Sequence, residues 1–380
     1  MLMKGTGQFS PVPFGTPAQD RPFARRFHRA REETDDGHRT IGDSTMTQFQ
    51  RYILRKAAWF LAAFLAALVL NFYLPRLVPG NPVDSIVSQM SQGGADAASM
   101  AAIYETYISE FGLDEPLLLQ FFTYAGNVLR GDLGTSFALY PAEVTGLIAD
   151  ALPWTLALQL PAILVGWILG NALGAIAAYK GGWFDRGGFL ASLLLSSMPY
   201  YAFAILLLYL VAVRWDVLPA AGGYSFGTEP SFTWSFVSNA AEHYLLPFLS
   251  LVLIFIGGQA IGMRSMAIYE LGADYVDFSR GLGISDSRIV RYIFRNAMLP
   301  QITGLALSIG SLVGGALITE VVFSYPGIGS LLFTAIRQND YPVIQAITLL
   351  IMVAVLLANF LVDIAYGVID PRIRSAQTGT

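Results

Sequence analysis

Side chains able to do covalent or redox chemistry are scarce in this chain of 380 residues, which has no Cys and three His, His28, His38 and His243. Without thiolates there is no zinc finger, iron–sulfur cluster or disulfide to build, and three imidazoles are too few for most transition-metal sites, so no metal site is expected. One stretch, Gly223-Tyr-Ser-Phe-Gly227, has the spacing of a serine-hydrolase nucleophile turn. That turn needs a strand before it and a helix after it. Neither is evident around Ser225, and His243 is the only His outside the N-terminal tail, so an ordinary glycine-rich loop is the better reading. A phosphate-binding loop is excluded too, because none of the lysines, Lys4, Lys56 and Lys180, follows a Gly. Any ATP must be hydrolysed by another subunit. No catalytic residue is assigned, and no cofactor is expected in this chain.

The polar groups that remain stand in apolar surroundings. Gln159, Asn171, Gln259, Glu320, Asn359 and Asp363 lie in or beside long uncharged stretches. Such groups are expensive in lipid and must face protein or a wet cavity. Composition agrees with a membrane setting: 54% of residues are hydrophobic and 13% charged, where soluble domains average about 25% charged. A net charge of −4 supplies no basic field for nucleic acid.

Windows free of Asp, Glu, Lys and Arg and long enough to cross a bilayer run Ala57 to Leu74, Ala151 to Tyr179, Gly187 to Val213, His243 to Met263, Asn296 to Thr319 and Tyr341 to Val362. Barrel strands alternate in polarity and would not give such runs, so the expected fold is all-α and polytopic, with six transmembrane helices. Basic residues cluster on one side of the windows: Arg51, Arg55, Lys56, Lys180, Arg186, Arg264, Arg280, Arg288, Arg291, Arg295, Arg372 and Arg374. The opposite side holds Arg76, Arg130, Arg214 and Arg337. Positively charged loops stay cytoplasmic, which predicts that both termini are cytoplasmic.

Residues 1–50 are rich in Arg, Asp, Glu, Pro and Gly and read as a disordered cytoplasmic tail, with Met46 an alternative start. The membrane-spanning body covers 51–374, and 375–380 form a C-terminal tail. Within the body, 75–150 form a helical extracytoplasmic loop. There Met100, Ile103, Tyr104, Tyr107, Ile108 and Phe111 give an amphipathic helix over Asp96 to Phe111, and Pro116 opens a second ending at Gly131. The cytoplasmic loop 264–296 carries a short helix over Ala273 to Leu282, with Asp277 and Arg280 one turn apart and Gly281 and Gly283 ending it. Ser285 then opens an amphipathic helix, with Arg288, Arg291 and Arg295 opposite Ile289, Val290, Ile293, Phe294 and Ala297, before Pro300 opens the fifth span. Two short helices at a glycine hinge are either a headgroup-contacting linker or a docking element for a cytoplasmic partner. Glu320, Phe323, Pro326 and Gly327 stand where the fifth span leaves the membrane; they are outer-gate candidates, with helix capping as the alternative. Gly166, Gly170 and Gly174, and Gly310 with Gly314, allow close helix packing.

The stretch Asp274-Tyr-Val-Asp-Phe-Ser-Arg-Gly-Leu-Gly283 with Arg295-Asn-Ala-Met-Leu-Pro300 resembles the cytoplasmic loop signature of ABC importer permeases, in the form found in the dipeptide, oligopeptide and nickel permease family. The resemblance continues through Val78-Pro-Gly-Asn-Pro82, Gly112-Leu-Asp-Glu-Pro116, Arg130-Gly-Asp-Leu-Gly-Thr-Ser136, Leu218-Pro219, Leu245-Leu-Pro247, Glu320-Val-Val-Phe-Ser-Tyr-Pro-Gly-Ile-Gly329, Asp340-Tyr-Pro342 and Asp370-Pro-Arg-Ile-Arg374. It implies a type I ABC importer permease of the bacterial inner membrane. Its implied partners are a second permease subunit, two cytoplasmic ATPase subunits that bind ATP and Mg, an extracytoplasmic solute-binding protein and the lipid bilayer. It places Asp277, Ser279, Arg280, Gly281 and Gly283 at the ATPase groove. Leu282 stands where the family usually carries Lys. Peptides are the favoured cargo, with oligosaccharides or nickel as alternatives and a membrane-embedded serine hydrolase as a distant one.

Overall fold

The computed structural model describes residues 48–76, 104–105, 108, 112, 114–310 and 317–369. The tail up to Thr47, the C-terminal tail and most of the expected Asp96–Phe111 helix lie outside the described residues, although Tyr104, Glu105 and Ile108 within that stretch are helical. Among the described residues the structure is all-α, with one isolated bridge between Thr135 and Glu143.

Among the described residues, four helices are long and apolar enough to cross a membrane: α1 (Gln48–Arg76), α3 (Val144–Lys180), α6 (Trp234–Leu271) and α11 (Tyr341–Ile369). Between α1 and α3, the short apolar α2 (Leu117–Leu129) follows Pro116, as the sequence predicts. The window expected as one straight crossing over Gly187 to Val213 is instead broken. It comprises α4 (Gly182–Ser197) and α5 (Tyr200–Leu207), which continues as a π-helix to Arg214, and the two parts meet at 101°. The cause is Pro199, whose ring pushes the preceding residue out of the helical region, so that Met198 is extended at φ −88, ψ 132. Counted as one bent span, this pair makes a fifth crossing. The remaining window, Asn296 to Thr319, passes through residues 311–316, outside the described residues.

Proline does not start the fifth window. Helix α8 (Asp286–Gly310) runs through Pro300, joining the amphipathic stretch to the apolar one, and Pro153, Pro161 and Pro247 likewise lie inside α3 and α6. A proline leaves the carbonyl four residues earlier without its helical donor, and neighbours in a bundle can supply one. Here the Tyr244 hydroxyl of α6 donates to the Ala157 carbonyl, four residues before Pro161, at 3.1 Å.

The bundle is built around the contact of α3 with α6. A Cβ added at Gly174 would stand 2.3 Å from the Ala260 carbonyl oxygen, and one at Gly170 2.6 Å from the Gln259 Cβ. The glycine stripe therefore packs within this chain; Gly314 lies outside the described residues. On another side of α6, a Cβ at Gly257 would be 2.8 Å from the Ser192 carbonyl of α4. Leu158, Leu246, Val252 and Phe323 fill one part of the core, and Val144, Ile148, Val343 and Ile347 another. Several polar groups inside the spans pair within the protein. Asn71 of α1 donates to the Gln345 carbonyl of α11 at 2.8 Å, and Lys56 pairs with Asp363 at 2.7 Å. Asn171 donates to the Trp167 carbonyl at 2.7 Å, while its own side-chain oxygen is buried without a partner among the described residues. Asn359 is exposed.

Candidate functional site

The connection from α6 to α8 forms a small folded unit at one end of the bundle. Helix α7 (Asp274–Gly281) turns over a core of Val276, Ile289 and Ile293, against which Leu271, Tyr275 and Ile284 pack. Three donors tie it down from behind. The Glu270 carboxylate, at the end of α6, accepts a hydrogen bond from the Tyr275 hydroxyl of α7 at 2.8 Å and another from the Asn296 amide of α8 at 3.4 Å. Burial, and then the Glu270 carboxylate, hold the Tyr275 hydroxyl above its ordinary pKa. The Ile284 N–H donates to the Ser279 carbonyl at 3.1 Å, and Gly283 makes the turn at φ +72, a conformation that costs a side-chain-bearing residue about 1 kcal/mol or more.

This geometry divides the expected coupling residues into two sets. Asp277, Arg280, Gly281 and Gly283 are exposed on the outer face of the unit, with Arg280 bonded to Asp277 at 3.2 Å. Ser279 is buried and faces the unit's own interior. Phe278 and Leu282, 70% and 63% exposed, share the outer face instead. Upstream, Arg264 holds Asp185 of α4 through two bonds of 2.6 Å and lies over the Phe189 ring, so the base of the unit is anchored to the first turns of α4. Sequence reasoning missed Glu270. Its signal was an acid in the last turn of a helix, where the dipole disfavours negative charge and donors are needed to compensate.

The outer-gate candidates form a buried corner. Glu320, on α9 (Leu317–Val322), is fully buried; one oxygen accepts from the Gly329 N–H at 2.7 Å and the other from the Gln159 amide of α3 at 3.2 Å. Thr155 of α3 accepts from the Ile328 N–H at 2.8 Å. Together they cap the start of α10 (Ile328–Arg337). A Cβ at Gly327 would lie 2.3 Å from a Glu320 oxygen, so only glycine fits. Phe323 is buried and its carbonyl accepts from Gly222 at 2.8 Å, while Pro326 packs beside Gly223. Ser225 lies in irregular backbone, bonded twice to Asn239 at 2.8 Å, and the His243 Nδ1 is taken by the Asn239 carbonyl. The hydrolase arrangement, a Ser bonded to its base, is not formed.

A second buried acid had no role in the sequence reading. Asp340 accepts from the Ser136 hydroxyl, the Phe137 N–H at 3.1 Å and the Ala138 N–H at 3.2 Å. It thereby fastens the Arg130–Ser136 motif to the Asp340–Pro342 motif at the start of α11. Nothing local to either motif announced this pairing, 204 residues apart.

Long apolar helices packed on glycine stripes, and a compact loop exposed at their end, define a polytopic helical membrane protein. Residues 170–375 match the family described as the binding-protein-dependent transport system inner membrane component, and the chain belongs to that family. It is 35% identical over 338 residues to the di/tripeptide transport system permease protein DppB of Pseudomonas aeruginosa. It is 32% identical over 342 residues to the dipeptide transport system permease protein DppB of Escherichia coli, and 33% over 325 residues to the glutathione transport system permease protein GsiC of Salmonella choleraesuis. Each alignment covers 85% of this chain and 98% of the relative. The protein is thus a multi-pass permease component of an ABC transport system.

Proposed function

We propose that the chain is one pore-forming half of an ATP-driven peptide importer of the bacterial inner membrane, with both termini cytoplasmic. It pairs with a second permease subunit, receives peptide from an extracytoplasmic solute-binding protein, and is driven by two cytoplasmic ATPases that bind ATP and Mg. The carrying observation is the unit around α7: a short helix with Asp277, Phe278, Arg280, Gly281 and Leu282 exposed, held rigidly to α6 and α8 by Glu270. A rigid-body shift of an ATPase seated on that face would turn α6 and α8 together and switch the side to which the cavity opens. Ser279 supports the face from beneath rather than forming it. The corner of Glu320, Phe323, Pro326 and Gly327 is our candidate outer gate, since it joins α3, α9 and α10. The relatives named for di-, tripeptide and glutathione transport favour peptide cargo.

Purification from the native membrane in mild detergent, followed by mass identification of partners and uptake of labelled dipeptide into proteoliposomes, tests this reading. The expected result is recovery of a phosphate-loop ATPase and a second permease, with ATP-dependent uptake. Recovery of the chain alone, under conditions that keep other transport complexes intact, would sink it.

A further inference from the structure

A cleft of about 450 Å³ opens where the ends of α3 and α6 meet the first turns of α8. This lies within the usual range of small-ligand sites. Its walls are apolar, with Ala175 and Ile176 from α3, Ala267 from α6, and Val290 and Phe294 from α8. Two cations, Lys180 at the last residue of α3 and Arg291 on α8, also line it, with Tyr179 and Ser287 beside them. Both are exposed, and among the described residues neither is in an ion pair. The acids on the neighbouring turns of α4 and α6 are engaged elsewhere, Asp185 by Arg264 and Glu270 by Tyr275 and Asn296. Arg288 and Arg295 extend the positive face of α8 on either side of Arg291.

The position of the cleft narrows its chemistry. Helices α3 and α6 span the bilayer, so a cavity at their shared end has its apolar floor at the edge of the hydrocarbon and its cations at headgroup level, where long basic side chains reach the phosphates. A soluble metabolite would leave the apolar walls wet, and a neutral apolar guest would make no use of the two cations at the rim. Basic pockets between helices at a membrane surface are suited to anionic lipid headgroups. We propose that this cleft holds one anionic phospholipid, an acyl chain lying along the trough and the phosphate bonded by Lys180 and Arg291. Ile293 lines the cleft and also belongs to the core beneath α7, so the bound lipid buttresses the exposed loop from the membrane side.

The test uses the full chain, with whatever subunits accompany it, in nanodiscs of phosphatidylcholine with a minor fraction of phosphatidylglycerol. Lipid retained after detergent release is read by native mass spectrometry. The wild type should retain phosphatidylglycerol over phosphatidylcholine by about tenfold or more, the scale that two basic residues at a membrane surface supply. Lys180→Gln with Arg291→Gln should remove the preference; both side chains are exposed, so the fold should survive. Ala175→Phe, at a partly exposed lining position, should reduce retention of the lipid with both cations intact, by filling the trough. Equal retention of the two lipids by the wild type, or an unchanged preference in the double variant, would overturn the proposal. So would a photo-crosslinker at position 176 joining a second permease instead of lipid, which would make the cleft a subunit interface.

Discussion

The Glu320 carboxylate and the Gly329 N–H, nine residues apart, meet at 2.7 Å inside the protein, with Gly327 between them too close to the same oxygen to tolerate any side chain. The turn is therefore a buried cap that holds α10 against α3. Gly327→Ala should push the carboxylate off its donors, leaving Gly329 and Gln159 unsatisfied at a cost of about 1–3 kcal/mol each. A lowered melting temperature in detergent is the expected readout; an unchanged one would mean the corner relaxes freely.

Asp340 holds two motifs together through one hydroxyl and two backbone N–H groups. Asp340→Ala should lose charge-assisted bonds of about 1.5–3 kcal/mol apiece and lower the amount of folded protein in the membrane. Ser136→Ala, which removes one donor and keeps the backbone pair, should be milder. Equal loss in both variants would show that the hydroxyl carries the whole contact.

Gly283 has no heavy atom within 4 Å of its added Cβ, and the exposed Arg280 side chain is bonded at the surface to Asp277. Gly283→Trp and Arg280→Glu should therefore fold, with only backbone strain in the first, yet abolish peptide uptake by spoiling the face proposed to seat the ATPase. Membrane abundance together with uptake checks this. Wild-type uptake in both variants would refute the coupling assignment.

Tyr275 donates to Glu270, which also receives Asn296. Tyr275→Phe should cost about 1 kcal/mol locally and loosen α7, lowering uptake per ATP hydrolysed while the ATPase still binds. Because the folded-state pKa of this hydroxyl is raised, its contribution is complete below the ordinary tyrosine pKa and is lost as pH rises through the raised value. The ratio of uptake to hydrolysis, followed from neutral to alkaline pH, should fall in the wild type and stay flat in the variant.

Helix α7 was legible because its information is local: an acid and a base one turn apart, then glycines at the turn, all within ten residues. Apolar windows were legible for the same reason, since lipid demands a run of uncharged residues whatever the fold. Nothing local announced that Glu270 would clamp Tyr275 and Asn296, or that Asp340 would seize a loop 204 residues away, because such bonds exist only after the helices have docked. Facing was equally hidden. Ser279 sits between two exposed residues and yet points inward, and the Gly166–Gly174 stripe could have met a partner subunit until α6 was seen against it. The break at Met198–Pro199 was written in the chain as a proline, but prolines also lie unbroken inside α3, α6 and α8. The amino-acid sequence by itself determined the helical membrane class, the motifs and the short helix α7 with its glycine turn, because each depends on composition and near neighbours. Tertiary structure decided which prolines bend, which polar groups pair and which loop residues face outward, because each depends on what an adjacent helix supplies.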